Sequence, residues 1–420
     1  MTGVQTCALP IFFPNLGGSG PQTIFSVLFI AMYVIRNKTK IVFPIFFYIF
    51  VFGLAIVLFL VFINGILFSL SIDRYYIVLY VKVLIVSLGL YSLIMSSKIS
   101  PKHVYKALLV VLSLNVIATY VQYFDIFGLK DFAFSLNRNF DFTKYVVYRA
   151  MGMMSGYDLN GIFLATTSLL FIIYSDTYAD TIVAKRISTI VGIFSAMGTL
   201  LAARTGIVAL LIMFLIYFIV KTASRGATKV FRLFVSSAIL IGSLYLFISI
   251  IDVDLRFQID NSMDFVFEAI DNYRNFGVLS TDSFQITLNE HYFLPSTSSQ
   301  LWFGNTLPNH VQFNQSDVGY VQVISGLGVL GLISFILVHF LLGLEILLSR
   351  NTILKRNSKL ISKQYSVLSL FGYSYLFVIF VVSFKGPYFF SEGIFYIFII
   401  IVCLIYKLQN DAIIPLLNRL

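Results

Sequence analysis

Residues 41–63 read IVFPIFFYIFVFGLAIVLFLVFI, 23 positions without one charged side chain. A helix of about 20 apolar residues crosses the hydrocarbon of a bilayer. Ten further runs of this kind stand near 17–35, 77–95, 107–127, 156–175, 187–203, 206–220, 233–251, 318–348, 365–384 and 393–408. The pattern predicts an all-α polytopic membrane protein with about eleven visible transmembrane helices. The run at 318–348 is long enough to tilt or to begin as an interfacial helix.

Composition leads to the same class. Of 420 residues, 59% are hydrophobic and 11% charged, where a soluble chain carries about 25% charged residues. The mean hydropathy is +0.91. Forty-four Phe and 25 Tyr suit lipid-facing surfaces and interfacial belts. A single membrane domain over 12–420 is expected, with no second soluble core. Residues 1–11, MTGVQTCALPI, have neither a basic n-region nor a small-residue cleavage site. They resemble translated sequencing-adapter read-through and are set aside as non-native. With one further span upstream the chain would have twelve, and both ends inside. Cys7 and Cys403 lie at opposite ends of the chain and offer no disulfide framework or thiolate metal site.

Lysine and arginine orient the spans. Nineteen of the 29 basic residues fall in one set of alternate loops and the C-terminal tail, among them Arg36, Lys98, Lys185, Arg225 and Arg356. Nine lie on the other side, and Lys82, inside a span, reads as buried in the bundle or snorkelling. The richer side is cytoplasmic. The net charge of +10 therefore faces anionic lipid and does not suggest nucleic acid. Two long loops remain outside, at 128–155 and 252–316, the second polar and carrying eight acidic residues, His291, His310 and the single Trp302. A rigid membrane scaffold places chemistry in such loops.

Arg204, in LLAARTGIVALL, stands between two apolar runs at a hairpin tip with almost no loop. An arginine that close to hydrocarbon points to function; the plainer alternative is snorkelling at the outer interface. Arg149 stands in VVYRAMGMMSGYDLNGIFLA, with Asp158 and Asn160 opening the next run. Here the plain reading is a loop charge, with Asp158 as a helix N-cap. Two guanidiniums at one surface would hold a pyrophosphate bidentately. QSDVGYVQVISGLGVLG puts Asp317 at a helix start facing outside and Tyr320 one turn later. Its Gly326, Gly328 and Gly331 read as close helix packing. Lys385, in VVSFKGPYFFSEG, either meets a phosphate or pairs with Glu392. Asp252–Asp254 spells DVD, a weak three-residue match to a metal-binding DxD. Neither a Walker A loop nor HExxH nor paired CxxC is present, so ATP and zinc are disfavoured and no cofactor or metal is expected.

Four of these segments together resemble the O-antigen and capsular polysaccharide repeat-unit polymerases of the O-antigen ligase/polymerase superfamily. YRAMGMMSGYDLNGIFLA is similar to the family's arginine–glycine–asparagine segment, and LAARTGIVALL to its arginine hairpin. FGNTLPNHVQFNQSDVGYVQVISGLGVLG resembles the close of its large outer loop, and SFKGPYFFSEG its late lysine motif. They run in the family's order from about residue 145 to 395. In the ligases of the superfamily a histidine stands where this chain has Asp317, which favours polymerase over ligase; His310, seven residues earlier, is the alternative histidine.

The resemblance implies a GT-C-like membrane glycosyltransferase in the bacterial inner membrane, working at its outer face. Donor and acceptor would both be undecaprenyl-pyrophosphate-linked glycans, and a chain-length regulator and a flippase would be further partners. In that reading Arg149 and Arg204 take the pyrophosphate, Asp317 or His310 the acceptor hydroxyl, and Asn160, Lys385, Arg274 and Tyr320 bind substrate. The rival readings are a ligase of the same superfamily and a lipid-linked oligosaccharide flippase. A transporter would gather charge near the bilayer midplane, whereas here it gathers at the outer rim.

Overall fold

The computed structural model describes residues 20–37, 43–68, 75–96, 100–128, 150–154, 156–225, 268, 271–275, 277, 289, 291–304, 318–354, 359–386 and 388–417. Among these there is helix and connecting chain but no strand. The helices are α1 (Gly20–Asn37), α2 (Ile45–Phe68), α3 (Tyr75–Ser96), α4 (Pro101–Tyr123), α5 (Tyr157–Thr177), α6 (Ile182–Ala202), α7 (Arg204–Arg225), α8 (Ser298–Phe303), α9 (Gly319–Leu354), α10 (Lys359–Val382) and α11 (Glu392–Leu417). Eight of them (α2 to α6 and α9 to α11) are long and apolar enough to cross a membrane. Each coincides with a run read from hydropathy. The runs at 17–35 and 206–220 appear as the shorter apolar helices Thr23–Ile35 and Arg204–Val220. The run at 233–251 lies outside the described residues.

The chain divides into two compact units, Met1–Ala107 with Thr287–Leu420, and Leu108–Ile286. In the first, the core is aromatic. Tyr80 of α3 packs edge-on against Phe335 of α9 and Phe390, at 5.4 and 5.1 Å between ring centres. Gly53 of α2 leaves room for the Tyr80 ring: a Cβ there would stand 2.7 Å from it. Near the α11 end, Lys407 is buried and donates to the Ile94 carbonyl at 2.8 Å. It thereby caps one of the last-turn carbonyls that α3 cannot satisfy itself.

Helix α9 is broken at Gly328, whose φ of 70° and ψ of −176° are not helical. A straight helix would separate positions 320 and 335 by about 22 Å along its axis. Yet the Tyr320 and Phe335 rings both lie against Phe389, at 5.3 and 5.9 Å. The break therefore turns the first part of α9 sharply. The short α8 ends directly on it: a Cβ at Gly328 would overlap the Trp302 carbonyl, and one at Gly304 (φ 77°) the Gly326 carbonyl. Asn64 of α2 donates to the Phe303 carbonyl at 2.5 Å. Irregular backbone at membrane depth persists only where protein encloses it. Here glycine is required at both contact points, for left-handed φ and for contact of backbone with backbone.

In the second unit α5 lies at the centre: 89% of its apolar window is buried, against 28% for α6. Without a hydrophobic drive between helices in lipid, close approach and side-chain hydrogen bonds hold them. Ser195 of α6 donates to the Leu164 carbonyl at 2.8 Å, and Ser168 of α5 donates back to the Gly192 carbonyl at 2.7 Å. Gly161 and Gly206 let α5 and α7 touch: a Cβ on Gly206 would stand 2.5 Å from the Gly161 Cα.

Candidate functional site

Arg204 is the first residue of α7, and α6 ends at Ala202, so Ala203 alone joins the two helices. Ala203 is extended, with φ −161° and ψ 153°, and its N–H still donates to the Thr199 carbonyl. The half-buried Arg204 thus stands where the positive end of a helix dipole is found, with no acidic residue in that helix's first turn. A cation at that end works against the dipole, and an anion is favoured there. The neighbouring Thr205 donates to Asp158 Oδ1 at 2.6 Å. Asp158 is therefore a tie between α5 and α7; the N-cap of α5 is Gly156, which makes no side-chain cap bond. Because the acceptor is a carboxylate, Thr205→Val is expected to cost about 1.5 kcal/mol of stability. Thermal unfolding in detergent measures it, and an unchanged melting temperature would show that the bond contributes nothing.

The segment Ala150–Met154 runs into the same region. The Ala150 N–H donates to the Leu201 carbonyl at 2.9 Å, tying the residue after Arg149 to the last turn of α6, three residues before Arg204. Buried polar side chains of α4 and α5 clamp the rest. Asn160 Nδ2 donates to the Ala150 carbonyl at 3.0 Å and to Thr119 Oγ1 at 3.1 Å. Asn115 Nδ2 donates to Asn160 Oδ1 at 2.9 Å, while Asn115 Oδ1 accepts from the Met153 N–H at 2.7 Å. Gln122 Nε2 donates to the Gly152 carbonyl at 2.6 Å. Gly152 has φ +57°, and a Cβ there would stand 2.7 to 2.8 Å from Asn115 Oδ1, Asn160 Oδ1 and Thr119 Oγ1. Only glycine fits on both counts.

Asn160 is thus fully buried with both ends of its amide engaged by protein. Asn115, Thr119 and Gln122, none of them singled out from the sequence, complete its setting. Their spacing of four and then three residues within an apolar run is one helix face, a signal that was legible in principle. Arg149 itself lies outside the described residues.

In the other unit, Lys385 is exposed on the turn that follows α10, its N–H donating to the Val382 carbonyl at 2.9 Å. The Gly319 N–H donates to the Ser383 carbonyl at 3.0 Å, which joins the start of α9 to this turn. Tyr320 donates its hydroxyl to the Phe380 carbonyl at 2.6 Å, and its ring stands 5.0 Å from Phe384. Tyr292, shortly before α8, also packs on Phe384, at 6.3 Å, and burial pushes its phenol up from the usual range, so it stays a neutral hydroxyl. Asp317 and His310 lie outside the described residues, as do Asp252–Asp254. Arg274 stands on an exposed turn of the unit that holds Arg204, its guanidinium 4.0 Å from Asp271. A pair this exposed contributes little. No group of His, Cys, Asp and Glu suited to a metal occurs among the described residues. No protein-family model matches the chain, and no curated protein matches it either.

Proposed function

We propose that this chain is a membrane glycosyltransferase that polymerises undecaprenyl-pyrophosphate-linked repeat units at the outer face of a bacterial inner membrane. One observation carries the reading: the bond from the Ala150 N–H to the Leu201 carbonyl joins the backbone of the RAMG and LAART segments. That bond joins two arginine-bearing segments far apart in sequence: the first is further clamped by buried polar side chains of α4 and α5, and the second stands at the anion-favouring end of α7. The sequence resemblance assigns the same two segments to pyrophosphate.

In this mechanism the acceptor hydroxyl oxygen attacks the anomeric carbon of the donor glycan. The bond from that carbon to the pyrophosphate oxygen breaks, and undecaprenyl pyrophosphate leaves. Arg204 and Arg149 stabilise the charge that develops on the leaving group. Asp317 or His310 takes the hydroxyl proton. Lys385 and Tyr320 are substrate-binding candidates, the turn that carries Lys385 being held to the start of α9 by the Gly319–Ser383 and Tyr320–Phe380 bonds. Asn160 serves by holding the segment behind Arg149, and Arg274 is a weaker candidate on its exposed turn.

Expression in a host that lacks its own repeat-unit polymerase but makes the cognate lipid-linked repeat tests the proposal. A ladder of glycans on a gel is the expected result. A single repeat, with the protein present in the membrane, rejects polymerisation; transfer of finished polymer in a ligase-deficient host would then identify the ligase reading.

A further inference from the structure

His339 lies in the middle of α9, within a membrane span, and has no exposed surface. Its two ring nitrogens each face a carbonyl. Nδ1 stands 2.8 Å from the Phe335 oxygen, one turn earlier in the same helix, and Nε2 stands 2.8 Å from the Phe389 oxygen, 50 residues away. Four phenyl rings surround it: Phe380, Phe389, Phe390 and Phe395, with centres 5.0 to 5.9 Å from the imidazole. A polar ring is costly in such surroundings unless its bonds matter. A neutral imidazole carries one N–H, so one of these contacts is a hydrogen bond. The Phe335 oxygen already accepts the helix's own N–H one turn on, whereas donation from Nε2 reaches the Phe389 oxygen, in a different segment.

That segment is the return from Lys385 to α11. Phe389 is buried and touches both parts of the broken helix, through Tyr320 before Gly328 and Phe335 after it. It also lies against Phe380 of α10, whose carbonyl accepts from Tyr320. Ahead of it, Tyr388 is tied back on Gly386 by an N–H to carbonyl bond at 2.8 Å, so the chain descends tightly from the exposed tip at Phe384 and Lys385. The Phe389 carbonyl is thus one fixed point from which the turn and the start of α9 are both held.

We infer that His339 is a positioning residue: by holding the Phe389 carbonyl it fixes the turn that presents Lys385 beside the start of α9. Its consequence for catalysis rests on the polymerase reading; its consequence for the turn does not. Two variants and two readouts separate these. His339→Phe keeps the ring and its packing but removes both nitrogens. His339→Gln restores an N–H donor. On a Cys7→Ser background, Ser383→Cys, fully buried at this turn, reports its opening through the rate of labelling by a membrane-impermeant maleimide.

His339→Phe is expected to insert normally and to raise the labelling rate about fivefold, the effect of one lost hydrogen bond on a local opening. His339→Gln should return the rate to near that of the parent. In the ladder assay, without the reporter cysteine, His339→Phe should shorten the polymer and His339→Gln should restore it. Labelling that is the same in all three proteins overturns the inference. Labelling that changes as expected, with no ladder even from the unaltered chain, would leave the brace standing and remove the polymerase reading.

Discussion

Arg204→Ala is expected to reduce polymer to a single repeat, a loss of at least about 100-fold, while leaving the protein folded and inserted. The two halves of that result have different causes. Removing one group that stabilises charge in a transition state typically costs 10²- to 10³-fold in rate, about 3 to 4 kcal/mol. For the fold, Arg204 begins α7, where its charge opposes the helix dipole. Alanine there removes that opposition, about 0.3 to 1 kcal/mol, which offsets the loss of the contacts made by the half-buried side chain. A snorkelling arginine would behave in the opposite way: its loss would leave the ladder intact and affect insertion. Arg204→Lys sharpens the distinction. Lysine keeps the charge but not the planar fork that grips a pyrophosphate, so recovery should be partial. A normal ladder from well-expressed Arg204→Ala sinks the mechanism. A lost ladder with an equal fall in melting temperature would mean that the arginine supports the hairpin instead.

Most of the membrane architecture was legible in the sequence. Long apolar runs are a strong local signal, because a span must satisfy its backbone within itself, and eight helices fall where hydropathy placed them. The tight hairpin at Arg204 was legible for a related reason: two runs with no polar spacer leave room for only one linking residue, Ala203. What stayed hidden is what depends on distant partners. Gly326, Gly328 and Gly331 read as one stripe for helix packing, whereas Gly328 is a break that receives the end of α8. Nothing within ISGLGVLG distinguishes a helical glycine from a left-handed one. Asp158 read as an N-cap because it opens a run; its bond to Thr205 comes from a residue 47 positions later. His339 stands as one polar residue in an apolar run, with no local signal of its role, because the Phe389 carbonyl that explains it is 50 residues away.

Asn160 provides the second large effect and decides between two roles for one residue. As a substrate contact it would be dispensable to the fold; as a clamp it must stabilise the protein with no substrate present. The geometry favours the clamp. Asn160→Leu removes three bonds, to Asn115, Thr119 and the Ala150 carbonyl, and strands at least Asn115 Nδ2 and the Ala150 oxygen. Hydrogen bonds between membrane helices average about 0.6 kcal/mol, and buried groups left without partners cost more. The expected loss is therefore about 2 to 3 kcal/mol, read as a lower melting temperature in detergent. Asn160→Asp should fare no better, since a carboxylate can accept from Asn115 but cannot donate to Ala150, and it is buried. Asn115→Leu combined with Asn160→Leu should cost clearly less than the two separately, because both remove the bond they share. Polymer length should fall with stability in the whole series and recover at low temperature as the fold does. If Asn160→Leu kept its melting temperature and still lost the ladder, the amide would belong to the substrate, and the segment before Gly152 would be held by its bond to Leu201 alone.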